Sequence, residues 1–158
     1  MLVLGSLAPD TAQALRRVDR SLDDGSALAH FARMVHALGG PADFVERPAH
    51  YLVAAPVQRA VRAEHSGWVA AMATRDIGLL VIELGGGRRV ASDSVDHRVG
   101  LADVVGIGRR VEVGDVLAVV HAADVSGAEM ASRRLVQAIG IDDHPGVVPG
   151  VAVARVDA

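Results

Sequence analysis

The sequence predicts an α+β fold: a small, mostly antiparallel, barrel-like β domain with two inserted helices, preceded by two or three helices. Three observations carry this. Apolar residues recur at helical spacing as far as Leu38. From Val57 the pattern changes to short strand-like runs punctuated by glycine. Two further helical patterns, beginning near Thr74 and Ser126, interrupt those runs. The organisation implied is a helical segment over 1–47, a linker over 48–56 and an α+β domain over 57–158.

Met1-Leu2-Val3-Leu4 is apolar and stops at Gly5, so it is expected to be the last turn of a helix whose body lies upstream, with Gly5 as its C-terminal cap. Leu7, Thr11, Ala14, Leu15, Val18 and Leu22 keep helical period, with Pro9 in the first turn. Asp23-Asp24-Gly25 breaks the chain, and Ser26 can cap a second helix with Leu28, Phe31, Val35 and Leu38 on one stripe. Gly39-Gly40-Pro41 ends it, and a short turn over Ala42 to Glu46 follows. Two such helices bury too little to stand alone and need something to pack on; left bare, their apolar faces would favour self-association. In Pro48 to Pro56, Tyr51 and Leu52 are the expected anchors.

The β-rich part begins with Val57, Arg59, Val61 and Ala63 in alternation, then Gly67 to Met72. Thr74 is expected to cap a helix through Leu84, with Asp76 in its first turn and Ile77, Leu80, Val81 and Leu84 on its inner face. Gly85-Gly86-Gly87 stops it, since glycine takes the left-handed turn without a Cβ clash. Strand-like runs follow at His97–Leu101 and Val111–Glu112, and Val116–His121 reads as a buried strand. Gly106, Gly108 and Gly114 mark turns. Ser126-x-x-Glu129 has capping-box spacing and opens a helix through Ile139, with Met130, Leu135, Ala138 and Ile139 inward. Gly140 to Gly150 reads as a loop, and Val151 to Val156 as a last strand at an edge.

Composition narrows the function. The chain is 51% hydrophobic but only 3% aromatic, so its core is built from Val, Leu, Ile and Ala. All 16 basic residues are Arg; no Lys is available for a Schiff base, a Walker-type phosphate loop, or biotin or lipoate attachment. Net charge is −3 and stacking aromatics are nearly absent, so the Arg pairs at 16–17, 88–89, 109–110 and 133–134 read as solvated surface and no nucleic-acid partner is expected. No apolar run approaches the ~20 residues that cross a bilayer, so no membrane association is expected. The absence of Cys removes disulfides and thiol chemistry and is compatible with the cytoplasm.

Gly85-Gly86-Gly87-Arg88-Arg89 could grip a phosphate, but these glycines end a helix, whereas phosphate loops begin one; a structural turn is expected. Gly106-x-Gly108 is a partial dinucleotide loop with no helix after it. Seven His residues, at 30, 36, 50, 65, 97, 121 and 144, include no i, i+4 pair for a metal. His121 closes an apolar strand and is expected to be a hydrogen-bonded structural residue. Asp93, Asp96 and His97 could form an acid–base cluster, but the aspartates are expected to accept backbone N–H bonds in their turn or to pair with Arg75, Arg88 or Arg89. Ser92 and Ser94 lack a nucleophile elbow. Asp142-Asp143-His144 reads as surface. No catalytic, cofactor-binding or metal-binding residue is therefore assigned, and no cofactor is expected.

One long stretch carries a resemblance. The order G-x-V-x-x-M-x-T-R-x-x-G from Gly67, then Gly85-Gly86-Gly87-Arg88, Ser92-Asp93-x-Val95-Asp96, Val99-Gly100, and later Val111-x-x-Gly114-Asp115-x-Leu117-Ala118-Val119-Val120-His121-Ala122 resembles the C-terminal domain of the pyrimidine nucleoside phosphorylases. Gly40-Pro41-x-Asp43-Phe44-Val45-Glu46 fits the helical segment before that domain. The resemblance implies the C-terminal structural portion of an enzyme that splits a pyrimidine nucleoside with phosphate into base and pentose 1-phosphate. It implies a hammerhead-type domain, a cytoplasmic homodimeric parent, and the upstream part of that parent as this segment's partner; phosphate and nucleoside are met only through the parent. The family's phosphate- and pyrimidine-holding residues, Lys among them, belong upstream, so none is carried onto this chain and no activity is expected of it alone. The alternatives are a free-standing binding or assembly module of hammerhead type, and an independent enzyme using Asp93, Asp96 and His97.

Overall fold

The computed structural model describes residues 1–148; the strand expected over Val151–Val156 lies outside them. The chain forms two compact units, Met1–Val53 and Ala54–Ala158.

The first unit is helical. Helix α1 spans Thr11–Asp23 and α2 spans Ser26–Ala37. Asp10 caps α1, its carboxylate accepting from the Gln13 N–H at 2.7 Å, so Pro9 lies just outside the helix and not in its first turn. Ser26 is the first residue of α2. Gly25 precedes it at φ 74°, and the Asp24 carboxylate accepts the Ser26 N–H. Near the N-terminus the Gly5 N–H closes a turn onto the Met1 carbonyl at 2.8 Å, but Ser6, at φ 57°, takes the left-handed conformation expected of Gly5. The stretch expected to be linker carries a one-turn helix α3, Pro48–Tyr51, with Pro48 in its first turn. Tyr51 is an anchor: it stacks beside Phe44 and donates its hydroxyl to the Asp43 carboxylate. Leu52 is not, being 61% exposed. Within this unit only Ala8 is buried.

The second unit is α+β and wholly antiparallel in its strand pairs. Strands β1 (Val57–Arg62), β5 (Val116–Ala122) and β3 (Gly100–Ala102) form one sheet, with β5 central. Strands β4 (Arg110–Val111), β2 (Gly67–Met72) and β6 (Ile139–Asp142) form the other, with β2 central. Successive strands thus alternate between the two sheets. Among the described residues neither sheet closes into a barrel. The third strand is shorter than expected: His97 and Arg98 lie in a turn, and pairing begins at Gly100. Strand β6 stands where a helix end at Ile139 and a loop from Gly140 are expected. It pairs with β2 from Trp68↔Asp142 to Met72↔Ile139, and Gly67 admits it: a Cβ there would sit 2.7 Å from the Asp142 carbonyl oxygen.

Helices α4 (Thr74–Val81) and α5 (Val125–Ala138) are the two insertions. Thr74 is the first residue of α4 and not its cap; its hydroxyl turns back toward the Met72 carbonyl. Asp124, not Ser126, caps α5: its Oδ1 accepts from the Gly127 N–H and from the Ser126 hydroxyl, each at 2.7 Å. The core follows strand periodicity. Ala118, Val120 and Ala122 on one face of β5 pack with Val61, Leu80, Ala128, Ala131 and Leu135 beneath the two helices. Leu117 points the opposite way, into a second cluster with Ala63, Val69, Val105, Val111 and Ile139. Half-buried Ile77 touches both clusters. No aromatic side chain is among the buried core residues, as the composition requires.

Candidate functional site

The residues singled out in the sequence converge on the turn that follows α4. After Val81 the helix widens into a π turn, Ile82–Gly86, which Gly85 terminates at φ 98°. Left-handed backbone of this kind costs an L-residue ~1–2 kcal/mol, and glycine removes that cost. The Gly85 carbonyl accepts the Asp96 N–H at 2.9 Å, tying the end of the turn to its beginning. The Asp93 carboxylate accepts the backbone N–H groups of Arg89 at 3.0 Å and Val90 at 3.1 Å. Asp93 therefore behaves as the backbone acceptor that the sequence suggested.

Asp96 also accepts a backbone N–H, as expected, but its guanidinium partner is Arg98 and not Arg75, Arg88 or Arg89. Its Oδ1 accepts from the Arg98 N–H at 3.0 Å and Nε at 2.9 Å, and its Oδ2 accepts from the second guanidinium nitrogen at 2.8 Å. This fork holds the Asp96 carboxyl down at about 2, from an ordinary 3.8, first through the Arg98 side chain and then through the Arg98 N–H. Partial desolvation works against them, and the charges of Arg98 and nearby His97 add smaller favourable pulls. Both aspartates are therefore committed to structure, and no hydrogen bond among the described residues joins Asp93, Asp96 and His97. His97 itself is exposed.

Two further carboxylates lie near this turn or on the neighbouring helix. Glu83 in the π turn forms an ion pair with Arg134 of α5, and the Arg134 hydrogen bond is the main reason its pKa lies low. The pair fastens the turn to the helix that covers the sheet. Asp124 is held low chiefly by the Gly127 N–H, then by the Ser126 hydroxyl, as its capping role requires. The shallow depression beside the turn is lined by Glu83 and Asp93 as well as Arg89. Two carboxylates there disfavour a phosphate.

The remaining candidates are dispersed. Gly108, at φ 86°, donates its N–H to the Val69 carbonyl at 2.8 Å in a turn leading to β4, with no helix following. His121 sits half-buried in β5 opposite Gln58 and Gly100; contrary to expectation, no hydrogen bond reaches its ring among the described residues. Asp142 ends β6 opposite Trp68, and Asp143 and His144 are exposed. Arg88, Ser92 and Ser94 are exposed as well. Among the described residues no group of three or more His, Cys, Asp or Glu could hold a metal ion, and no helix is long and apolar enough to cross a membrane. Arg98 and Arg134 were missed by the sequence reading; Arg98 carried a usable signal, a guanidinium two residues from an aspartate in a turn.

The geometry thus defines a class: a small α+β domain whose polar clusters brace turns and helix ends. Residues 68–142 match the family described as "Pyrimidine nucleoside phosphorylase C-terminal domain", and the chain carries a C-terminal domain of that family. It is similar to thymidine phosphorylases from Agrobacterium fabrum (42% identical over 156 residues, 99% of this chain and 36% of the relative) and Rhizobium meliloti (44% over 158 residues, 100% and 36%). It is also similar to one from Mesorhizobium japonicum, at 48% identity over 141 residues, 89% of this chain and 32% of the relative. The chain spans about a third of the length of these relatives.

Proposed function

We propose that this chain is the C-terminal structural portion of a thymidine or pyrimidine nucleoside phosphorylase and that it does not catalyse phosphorolysis by itself. The observation that carries this reading is the extent of the match: end-to-end similarity to thymidine phosphorylases from a segment about a third as long as they are. In the parent, pyrimidine nucleoside and phosphate are converted to the free base and pentose 1-phosphate on residues outside this segment. Residues 1–47 are the end of a larger upstream domain, 48–56 link it onward, and 57–158 form the terminal domain. The family model supports that division, beginning at residue 68 while the relatives match the helical unit too. The parent is a cytoplasmic homodimer. The domain contributes a stiff body, braced by the Glu83–Arg134 and Asp96–Arg98 pairs, against which the rest of the enzyme can close on its substrate.

The test is base release from thymidine and from uridine in phosphate buffer by the purified chain, with a host-enzyme control. No turnover is expected. Turnover that follows the chain through purification, and is lost in an Asp93→Asn or Asp96→Asn variant, would refute the proposal and make that cluster the active site.

A further inference from the structure

We propose that the outer edge of strand β1, walled by helix α5, is a groove for an extended acidic peptide, which adds to the sheet as an antiparallel strand. The site lies wholly within the second unit and goes beyond the structural role proposed above.

Strand β1 stands at the end of its sheet and pairs on one side only, with β5. Every second N–H and C=O along its other side therefore lacks a strand partner among the described residues, which makes the edge a template for a further strand. Its six residues offer ~20 Å of template at ~3.3 Å each. An edge alone is not a site, but here α5 packs beside it. Ser132, Arg133, Val136 and Gln137 on that helix face the Arg59–Arg62 stretch across an open groove of about 490 Å³. That space lies within the ~300–1,000 Å³ of ligand-holding clefts. A sheet edge is a recurring seat for an extended peptide: main-chain hydrogen bonds hold it, and the side chains around it select its sequence.

The walls select acid. Arg59, Arg62 and Arg133 line the groove against Glu64 alone, in a chain whose net charge is −3. Glu129 of α5 pairs with Arg59 at 3.4 Å, but both side chains are about half exposed, so the pair is weak and open to exchange. Arg62 donates to the Gly114 carbonyl at 2.7 Å, a neutral partner that leaves its charge uncompensated. Arg133 has no ion pair among the described residues; its neighbour Arg134 takes Glu83. A second copy of the chain fits poorly. Two β1 strands meeting antiparallel about a two-fold axis between Ala60 and Val61 set Arg59 opposite Arg62 twice, and like charges directly opposite repel.

The spacing also sets the occupant's sequence. Every described strand pair of this unit is antiparallel, the slightly more stable ladder. Read antiparallel to β1, the occupant's first residue lies opposite Arg62, the next two opposite Val61 and Ala60, and the fourth opposite Arg59. The two Arg positions call for carboxylates. Val61, with Val136 beside it in the groove, calls for an apolar residue. The pattern is acid, apolar, any residue, acid.

The test titrates the 158-residue chain into fluorescein-labelled Ser-Glu-Val-Thr-Glu-Ser at low salt and follows fluorescence anisotropy. Saturable one-to-one binding is expected, with the amide NMR signals of Gln58 to Arg62 shifted. Arg133→Glu, at an exposed position, is expected to weaken binding at least tenfold. Arg110→Glu, the same charge change on β4 of the other sheet, should leave it within about twofold of wild type. A peptide with Lys in place of both Glu, and Ser-Glu-Pro-Pro-Glu-Ser, which keeps the charge but cannot extend a ladder, should each bind at least tenfold more weakly. Absence of saturable binding by wild type overturns the proposal. Equal binding of the proline peptide overturns it as well, because charge alone then holds the ligand. So does a dimer of the chain that Arg133→Glu alters and the peptide does not displace, because the occupant is then a second copy. So does at least tenfold tighter peptide binding after truncation following Val148, because the groove then belongs to the chain's own last residues.

Discussion

Truncating Leu135 to Ala is the sharpest test of how the second unit holds together. Leu135 is fully buried on α5 and packs against β1, β5 and α4 through Val61, Val120 and Leu80. Its neighbours Ala118, Ala122, Ala128 and Ala131 are already small and have no longer side chain to swing into the space. The cavity is therefore expected to stay open, which places the cost in the upper half of the ~2–5 kcal/mol range for buried Leu→Ala. At ~4–8 °C per kcal/mol for a domain of this size, ~4 kcal/mol lowers the melting temperature by roughly 16–32 °C. The assay is a thermal melt followed both by far-UV circular dichroism and by the fluorescence of Trp68. That residue lies on β2, in the other sheet, so coincident loss of both signals also tests whether the sheets melt together. Leu52→Ala, at a largely exposed position, is the control and should stay within ~0.5 kcal/mol of wild type. A drop of less than about 4 °C for Leu135→Ala, less than ~1 kcal/mol, would refute the packing described here.

Three other outcomes are expected. Gly85→Ala forces an alanine to φ 98° and should cost ~1–2 kcal/mol, whereas Gly78→Ala, on the exposed side of α4 with open space around it, should add up to ~1 kcal/mol; urea melts of the pair reveal whether the signs differ as stated. The Asp96 carboxyl, held at about 2 in the folded chain against an ordinary 3.8, stabilises the fold fully above that ordinary value, and the contribution disappears as pH falls through about 2. In Arg98→Ala the carboxyl should titrate closer to 3.8, read by carbon-detected NMR; an unmoved titration means that the Arg98 side chain is not its main partner. Asp124→Ala removes the acceptor for the Gly127 N–H and should lower the melting temperature by a few degrees, with Ser126→Ala doing less; the reverse order would restore Ser126 as the cap.

What could be read from the sequence was local and periodic. Gly85 as a left-handed stop, Ile77, Leu80 and Leu84 on the inner face of the helix, and the buried strand at Val116–His121 follow from steric rules acting over a few residues, and the structure holds them, though Val81 joins neither core cluster. The misreadings arise where two local rules compete or where the deciding partner is distant. Ser126-x-x-Glu129 has capping-box spacing, but Asp124 lies two residues earlier and its carboxylate accepts the Gly127 N–H. Ile139 suits the inner face of a helix and of a strand equally well. Gly140, Asp142 and Pro145 suggested a loop, and only the slim edge of β2 at Gly67 and Ala71, some 70 residues away, makes that stretch a strand. In the candidate site, the capped state of Asp93 was legible because a turn aspartate serves its own backbone. The Arg98 fork on Asp96 was not, because spacing alone does not decide whether a turn aspartate meets Arg98 or the earlier Arg75, Arg88 and Arg89.

The alternation of strands between the two sheets makes the terminal domain indivisible. No contiguous stretch of chain contains one complete sheet without threading through the other: the first needs residues 57–122 and encloses β2 and β4, the second needs 67–142 and encloses β3 and β5. Cutting the chain anywhere between β1 and β6 therefore splits at least one sheet, and any cut between β2 and β5 splits both. Gene fusion, fission or duplication can carry this domain only whole, and the whole begins earlier than residue 68, where the family match starts, because β1 at 57–62 is the strand on which the first sheet closes its edge.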